Sequence, residues 1–127
     1  MTQNRPVNIN LLKIKLPLSA FLSITHRISG ILIFFIVLPV SVFIFSELTQ
    51  SQDSFNNFMI MYHKNLGIKF GCVGLILIFQ YHIFTGVRHI LMDFHILNES
   101  LSSSYKSAVT TLVLFAVNAL LTLWVML

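Results

Sequence analysis

The sequence predicts an all-α integral membrane protein, a bundle of three transmembrane helices with its amino terminus in the cytoplasm. Hydrophobic residues make up 56% of the 127 residues and charged residues only 9%, against about 25% charged in an ordinary soluble domain. So few charges cannot cover a soluble globule of this length. We therefore expect a single membrane anchor domain over residues 1–127.

Three runs without any charged residue locate the spans, at 28–46, 70–87 and 107–127. Each is close to the roughly 20 helical residues that cross about 30 Å of hydrocarbon. The runs are apolar on every side, whereas barrel strands alternate apolar and polar residues. Allowing for polar ends, we expect helices at about 19–48, 65–94 and 105–126.

The remaining features of the chain are modest. The polar connection of residues 49–62 is predicted to be an outer loop, and Pro39 is predicted to bend the first helix. We find no internal repeat. Cys72 is the only cysteine, which excludes a disulfide framework. The net charge of +4 comes from scattered basic residues and indicates no nucleic-acid partner.

Polar residues cluster at the start of the first helix. Ser23, Arg27 and Gly30 follow one another at intervals of four and three residues, so they share a helix face. His26 lies beside that face. Ionisable residues inside a membrane are costly and are functional candidates by default.

A second polar cluster occupies the second helix. His82, Gly86, His89 and Asp93 form one stripe at helical spacing, with Arg88 adjoining it. His82 is expected about 10 Å deeper than His89, at 1.5 Å per residue. The predicted topology places both clusters near the cytoplasmic surface.

A histidine this deep has two interpretations. Neutral imidazole is a good ligand for haem iron, and Gly86, one turn away, would let a flat macrocycle lie against the backbone. Interfacial groups could then bind the propionates, namely His26, Arg27, Arg88 and His89. Alternatively, His82 only hydrogen-bonds across helices, and the arginines are lipid anchors. Because no other histidine is deep, a second axial ligand would come from another chain.

Two motifs make the chain similar to a known family. The first is Arg5-Pro6-Val7, Leu11, Leu18 and Ser23-x-x-His26-Arg27-x-Ser29-Gly30. The second is His82-x-x-x-Gly86-Val87-Arg88-His89-Ile90-x-Met92-Asp93. The chain thereby resembles the cytochrome b-556 subunits of succinate dehydrogenase, the first of the two membrane anchors of respiratory complex II.

The resemblance implies roles for individual residues. It makes His82 the axial iron ligand of haem b, with the other ligand a histidine of a second membrane anchor subunit. Ser23 and Arg27 would line the ubiquinone pocket. The remaining candidates are His26 and His89 near the haem propionates, Gly86 packing on the haem, and Arg88 and Asp93.

The resemblance also implies a complex. A flavoprotein subunit and an iron–sulfur subunit would dock on the cytoplasmic face and pass electrons from succinate oxidation to ubiquinone, so this chain is not catalytic alone. From the residues, Ser23 offers a hydroxyl donor, and the charge of Arg27 would stabilise negative charge developing on a quinone oxygen.

Two alternatives stay open at this point. One is a haem-free anchor of a related quinol:fumarate reductase, against which the His82 stripe argues. The other is a small structural or transport membrane protein with a polar path, which does not explain the paired interfacial clusters. The lack of an Arg- and Ser-rich transit peptide favours a bacterial inner membrane over a mitochondrial one.

Orientation gives the first testable prediction. With the amino terminus inside, six of the eight Lys and Arg residues are cytoplasmic, and only Lys64 and Lys69 are external. A reporter enzyme fused after Leu127 should therefore be active outside the cytoplasm. The same reporter fused after Asn98 is the matched control and should be active inside; the reverse pattern would overturn the orientation.

Overall fold

The fold is a bundle of long helices. The computed structural model describes residues 16–98 and 100–127. Outside these ranges lie the motif residues 5–7 and 11 and three of the basic residues counted as cytoplasmic, Arg5, Lys13 and Lys15. The helices of the described chain are α1 (Leu18–Gln50), α2 (Gln52–Lys64), α3 (Leu66–Asp93) and α4 (Leu101–Met126).

Three of these helices are transmembrane candidates. α1, α3 and α4 contain 33, 28 and 26 residues and are apolar enough to cross a membrane. At about 1.5 Å per residue, each exceeds the roughly 30 Å of a hydrocarbon core. The predicted all-α fold class with three transmembrane helices is therefore confirmed.

α4 begins at Leu101, four residues before the predicted start at 105. Ser100 occupies the N-cap position, and its hydroxyl accepts a hydrogen bond from the Ser103 amide at 3.3 Å. The first turn that this cap starts is polar, so hydropathy alone places the start of the helix too late.

The connection predicted as an outer loop contains helix α2. Ser51 caps it by accepting a hydrogen bond from the Ser54 amide at 3.1 Å. Asp53 lies in its first turn, and His63 and Lys64 lie in its last, as the helix dipole favours. α2 contacts both α1 and α3. The segment is helical although it is not apolar, which is why the search for apolar runs overlooked it.

α1 accommodates Pro39 with a widened turn. Residues Ile33–Val37 form one π-helical turn, in which the Leu38 amide donates to the Ile33 carbonyl five residues back. A proline lacks an amide hydrogen, and its ring crowds the carbonyl four residues earlier. The wider turn immediately before Pro39 relieves this crowding, and the helix continues to Gln50.

Helix α3 lies at the centre of the bundle. It packs against α1 and α4, and α1 also contacts α4. α1 and α3 run antiparallel, because His26 meets Thr85 near one end of the pair and Glu47 shares a cleft with Ile68 near the other. Small and polar side chains dominate the buried positions between the helices, which include Ser29, Thr85, Ser104, Ala108 and Thr111.

Large apolar side chains lie mostly on the outside of this bundle. Phe35 is 69% exposed and Trp124 is 83% exposed. Because lipid is as apolar as these side chains, helices in a membrane associate through close packing and polar contacts instead. The bundle follows this pattern, with its hydrogen-bonding groups inside and its aromatic groups outside.

Candidate functional site: a stacked histidine pair

Two histidines from α1 and α3 stack on each other. The ring centroids of His26 and His82 are 4.1 Å apart, and the ring planes differ by 10°. His89, two turns further along α3, approaches the other side of the group with its centroid 5.1 Å from that of His26. The structure thus brings together three of the histidines that the sequence singled out.

Hydroxyl groups hold both rings of the stacked pair. Ser29 Oγ lies 2.9 Å from His82 Nδ1, and Thr85 Oγ1 lies 2.8 Å from His26 Nδ1. Both hydroxyls are nearly inaccessible, with Ser29 5% exposed and Thr85 1% exposed. Each histidine therefore bonds to the helix opposite its own.

A short repeat produces this arrangement. His26-x-x-Ser29-Gly30 on α1 matches His82-x-x-Thr85-Gly86 on α3. The two antiparallel helices exchange equivalent contacts, as around a local two-fold axis. Thr25 and Tyr81, which precede the two histidines, also hydrogen-bond to each other through their hydroxyls. The expectation of no internal repeat was therefore wrong for this short motif, and the spacing of histidine, hydroxyl and glycine was the signal in the sequence that could have revealed it.

The two glycines of the repeat leave room for the opposite imidazole. A Cβ atom on Gly30 would lie 3.3 Å from His82 Cε1, and one on Gly86 would lie 3.1 Å from His26 Cε1. The space at Gly86 that we expected a macrocycle to use is thus next to the His26 ring. Elsewhere in α3, a Cβ atom on Gly71 or Gly74 would meet nothing within 4 Å.

Ser23, Arg27 and Asp93 lie around this pair. Arg27 is exposed, one turn along α1 from the half-buried Ser23. Asp93 is exposed at the end of α3. Asp93 follows His89 by one turn of α3. The predicted polar clusters of α1 and α3 therefore meet at one end of the bundle.

Arg88 differs from Arg27 in its surroundings. It is only 3% exposed and turns toward α4. Its Nε donates to Ser107 Oγ, and its Nη2 donates to Ser104 O and Oγ, all at 3.2 Å. The guanidinium therefore joins α3 to α4. This contact was not predicted from the sequence, in which Arg88 had two interpretations, as a member of the histidine cluster or as a lipid anchor.

His82 has the features that a haem ligand needs. Its Nδ1 is held by Ser29, and no hydrogen bond occupies its Nε2. That atom is also accessible. Among the described residues, Gln80 Oε1 is the only side-chain nitrogen or oxygen that is both buried and without a hydrogen-bond partner, so the unpartnered Nε2 of His82 is not buried. A neutral imidazole with one anchored and one available nitrogen is the usual metal-binding form. Among residues 16–98 and 100–127, no group of three His, Cys, Asp or Glu side chains is placed to hold a metal.

Close packing at Gly86 leads to a stability prediction. Gly86→Ala should lower the thermal unfolding midpoint of the detergent-solubilised protein. The new methyl group would lie 3.1 Å from His26 Cε1, the ring is held by Thr85 and by stacking on His82, and overpacking costs about 1–3 kcal/mol. Gly74→Ala is the matched control. It meets no neighbour and should raise the midpoint slightly, since alanine favours a helix by about 1 kcal/mol over glycine. Circular dichroism measures both unfolding midpoints. Equal midpoints for the two variants would contradict the close contact between Gly86 and the His26 ring.

Comparison with known proteins identifies the family. Residues 1–124 match the family described as succinate dehydrogenase/fumarate reductase transmembrane subunit. The succinate dehydrogenase cytochrome b556 subunit of Coxiella burnetii (strain RSA 493 / Nine Mile phase I) is 36% identical over 93 residues, which cover 73% of this chain and 74% of that one.

Two further relatives are succinate dehydrogenase cytochrome b560 subunits. The one from Porphyra purpurea is 34% identical over 112 residues, or 87% of this chain and 88% of its own. The one from Chondrus crispus is 33% identical over 100 residues, or 72% of each chain. A match over nearly the whole length, three candidate spans and relatives of this similarity agree: the chain belongs to the family of succinate dehydrogenase/fumarate reductase transmembrane subunits.

Proposed function

We propose that this protein is a membrane anchor subunit of a succinate:ubiquinone oxidoreductase, which contributes one axial ligand to haem b and part of the ubiquinone site. The observation that carries the proposal is His82, whose Nδ1 is held by Ser29 while its Nε2 is free of hydrogen bonds within the membrane. The family and the cytochrome b names of the relatives agree with a haem in this type of subunit.

His82 supplies one of two axial ligands in this proposal. The second would be a histidine of another membrane anchor subunit, which is what the resemblance carried by the two sequence motifs implies. Bound haem would supply a one-electron reservoir near the quinone site. His26 lies beside His82, and His89 lies beside His26; both would offer ring nitrogens to the propionates. Arg88 is committed to α4, so we assign it to the packing of the bundle.

Ser23 and Arg27 would bind the quinone head group. They share a face of α1 within three turns of its start at Leu18, where the membrane meets water. A quinone has an apolar tail and a polar ring, so its ring fits such a boundary. The Ser23 hydroxyl can donate to one quinone oxygen. The exposed guanidinium of Arg27 stabilises negative charge on a quinone oxygen as electrons arrive.

The remaining parts of the proposal concern location and partners. With the amino terminus inside, the histidine pair and Arg27 lie near the cytoplasmic surface of a bacterial inner membrane. The iron–sulfur subunit and the flavoprotein subunit would dock there, so that electrons enter close to the quinone site. The family name also covers fumarate reductase anchors; the names of the three relatives favour succinate oxidation.

The haem ligand is tested by removing it. His82→Leu in the purified complex should abolish the b-type bands of the reduced-minus-oxidised spectrum, because leucine offers no lone pair to iron. His63→Leu is the control, since His63 is exposed in α2 outside the spans, and it should keep the bands. Normal b-type bands in an assembled His82→Leu complex would refute the assignment.

The quinone site is tested by removing its charge. Arg27→Leu should lower quinone reduction by roughly 100-fold or more, as loss of a charge-stabilising donor does in other active sites. Succinate oxidation with a soluble artificial acceptor should stay unchanged, because that reaction bypasses the membrane. The matched control, Lys64→Leu, removes an exposed charge from α2 and should leave both rates unchanged. Equal loss of both activities in Arg27→Leu would contradict a role confined to quinone.

A further inference from the structure

We propose that Ser29 is a positioning residue for the haem ligand, because it determines which nitrogen of His82 carries the proton and how strongly the other nitrogen donates to iron. The proposal rests on the proposed function of His82 as a ligand. It adds a role for a residue that binds neither iron nor quinone.

The first step is the direction of the two hydrogen bonds of Ser29. Its Oγ lies 2.7 Å from the His26 carbonyl oxygen. A carbonyl has no hydrogen, and two oxygens at this distance repel unless a hydrogen lies between them. The single hydroxyl hydrogen of Ser29 must therefore point at His26 O. Only lone pairs of Ser29 remain to face His82.

The second step concerns the proton of His82. Its Nδ1 is 2.9 Å from Ser29 Oγ. Since Ser29 presents lone pairs there, Nδ1 must carry the hydrogen and donate it. A neutral imidazole has one ring hydrogen, so Nε2 is left with a free lone pair. Ser29 thereby selects the tautomer that can bind iron through Nε2.

The third step is the effect on the iron. A hydrogen bond from the Nδ1 hydrogen of a ligating histidine raises the basicity of the ring and fixes its orientation. A more basic ligand favours ferric over ferrous iron and lowers the midpoint potential of the haem. Loss of the Ser29 hydroxyl should therefore raise that potential and weaken haem binding.

The equivalent site on the other helix provides a control. Thr85 Oγ1 donates to Tyr81 O at 2.8 Å, so by the same reasoning it accepts the Nδ1 hydrogen of His26. His26 is not the ligand in this proposal; its ring stacks on His82 and offers a nitrogen to the propionates. Thr85→Val removes a buried hydroxyl of the same kind from the same cluster with little change in volume. It should shift the haem potential less than Ser29→Ala does, because Thr85 contacts His26 rather than the ring of the ligand.

The experiment compares Ser29→Ala, Ser29→Thr and Thr85→Val in the assembled complex. Redox titration of the b-type bands gives the midpoint potential, electron paramagnetic resonance reports the ligand field of ferric haem, and transfer to apomyoglobin gives the haem dissociation rate. Ser29→Ala should raise the potential, shift the ferric g values and release haem roughly 10-fold faster or more. Ser29→Thr keeps the hydroxyl and should behave as the unsubstituted protein. Ser29→Cys, of similar size but a weak acceptor, should resemble Ser29→Ala.

Two outcomes would overturn the proposal, and they differ from failure of the haem assignment. If Ser29→Ala leaves the potential, g values and haem release unchanged while His82→Leu removes the bands, then His82 is the ligand and Ser29 does not position it. A shift of the potential in Thr85→Val as large as that in Ser29→Ala would indicate general loosening of the cluster instead. Retention of the bands in His82→Leu would refute the ligand itself.

Discussion

The reciprocal pairing of His26 and His82 across α1 and α3 is the interaction on which the rest of the structure depends. An imidazole inside a membrane helix must find hydrogen-bond partners in the protein, because lipid offers none. Here each helix provides a hydroxyl for the histidine of the other, and each provides a glycine at the point of closest approach. The spacing of these groups sets the register of the two helices. The same contacts therefore determine both the packing of α1 on α3 and the geometry of the site.

Arg88 satisfies a related constraint between α3 and α4. Burying a guanidinium is costly unless its donors are paired, and Ser104 and Ser107 provide acceptors at the start of α4. α3 therefore contacts α1 through the pairing of His82 with His26, and it contacts α4 through Arg88. Both contacts lie toward the same end of the bundle. That end is polar inside, and the remainder of the described spans has few polar contacts, such as that of Gln80 with Thr122.

The sequence predicts the spans well because their cause is local. A helix must be apolar along its length to cross a membrane, and 28–46 or 70–87 can be recognised without knowing any neighbour. The meeting of the two polar clusters at one end of the bundle follows from topology. The stacking of His26 on His82 does not, because from the sequence His26 was expected to be interfacial and His82 to be the single deep histidine. The partners of Ser29, Thr85 and Arg88 do not, because they depend on which helices touch and on which faces. Helix α2 was overlooked for another reason: its signals are caps and end charges rather than hydropathy.

The π-helical turn of α1 has a consequence for comparing the two halves of that span. One extra residue in a turn displaces every later side chain around the helix axis by about 100°, the angle between successive residues. A single helical wheel drawn from Leu18 to Gln50 therefore assigns the residues after Val37 to the wrong azimuth. The residues before the turn, which include His26, pack against α3, and residues after it contact α2. The π-helical turn therefore sets the angle between these two contact faces of one continuous span.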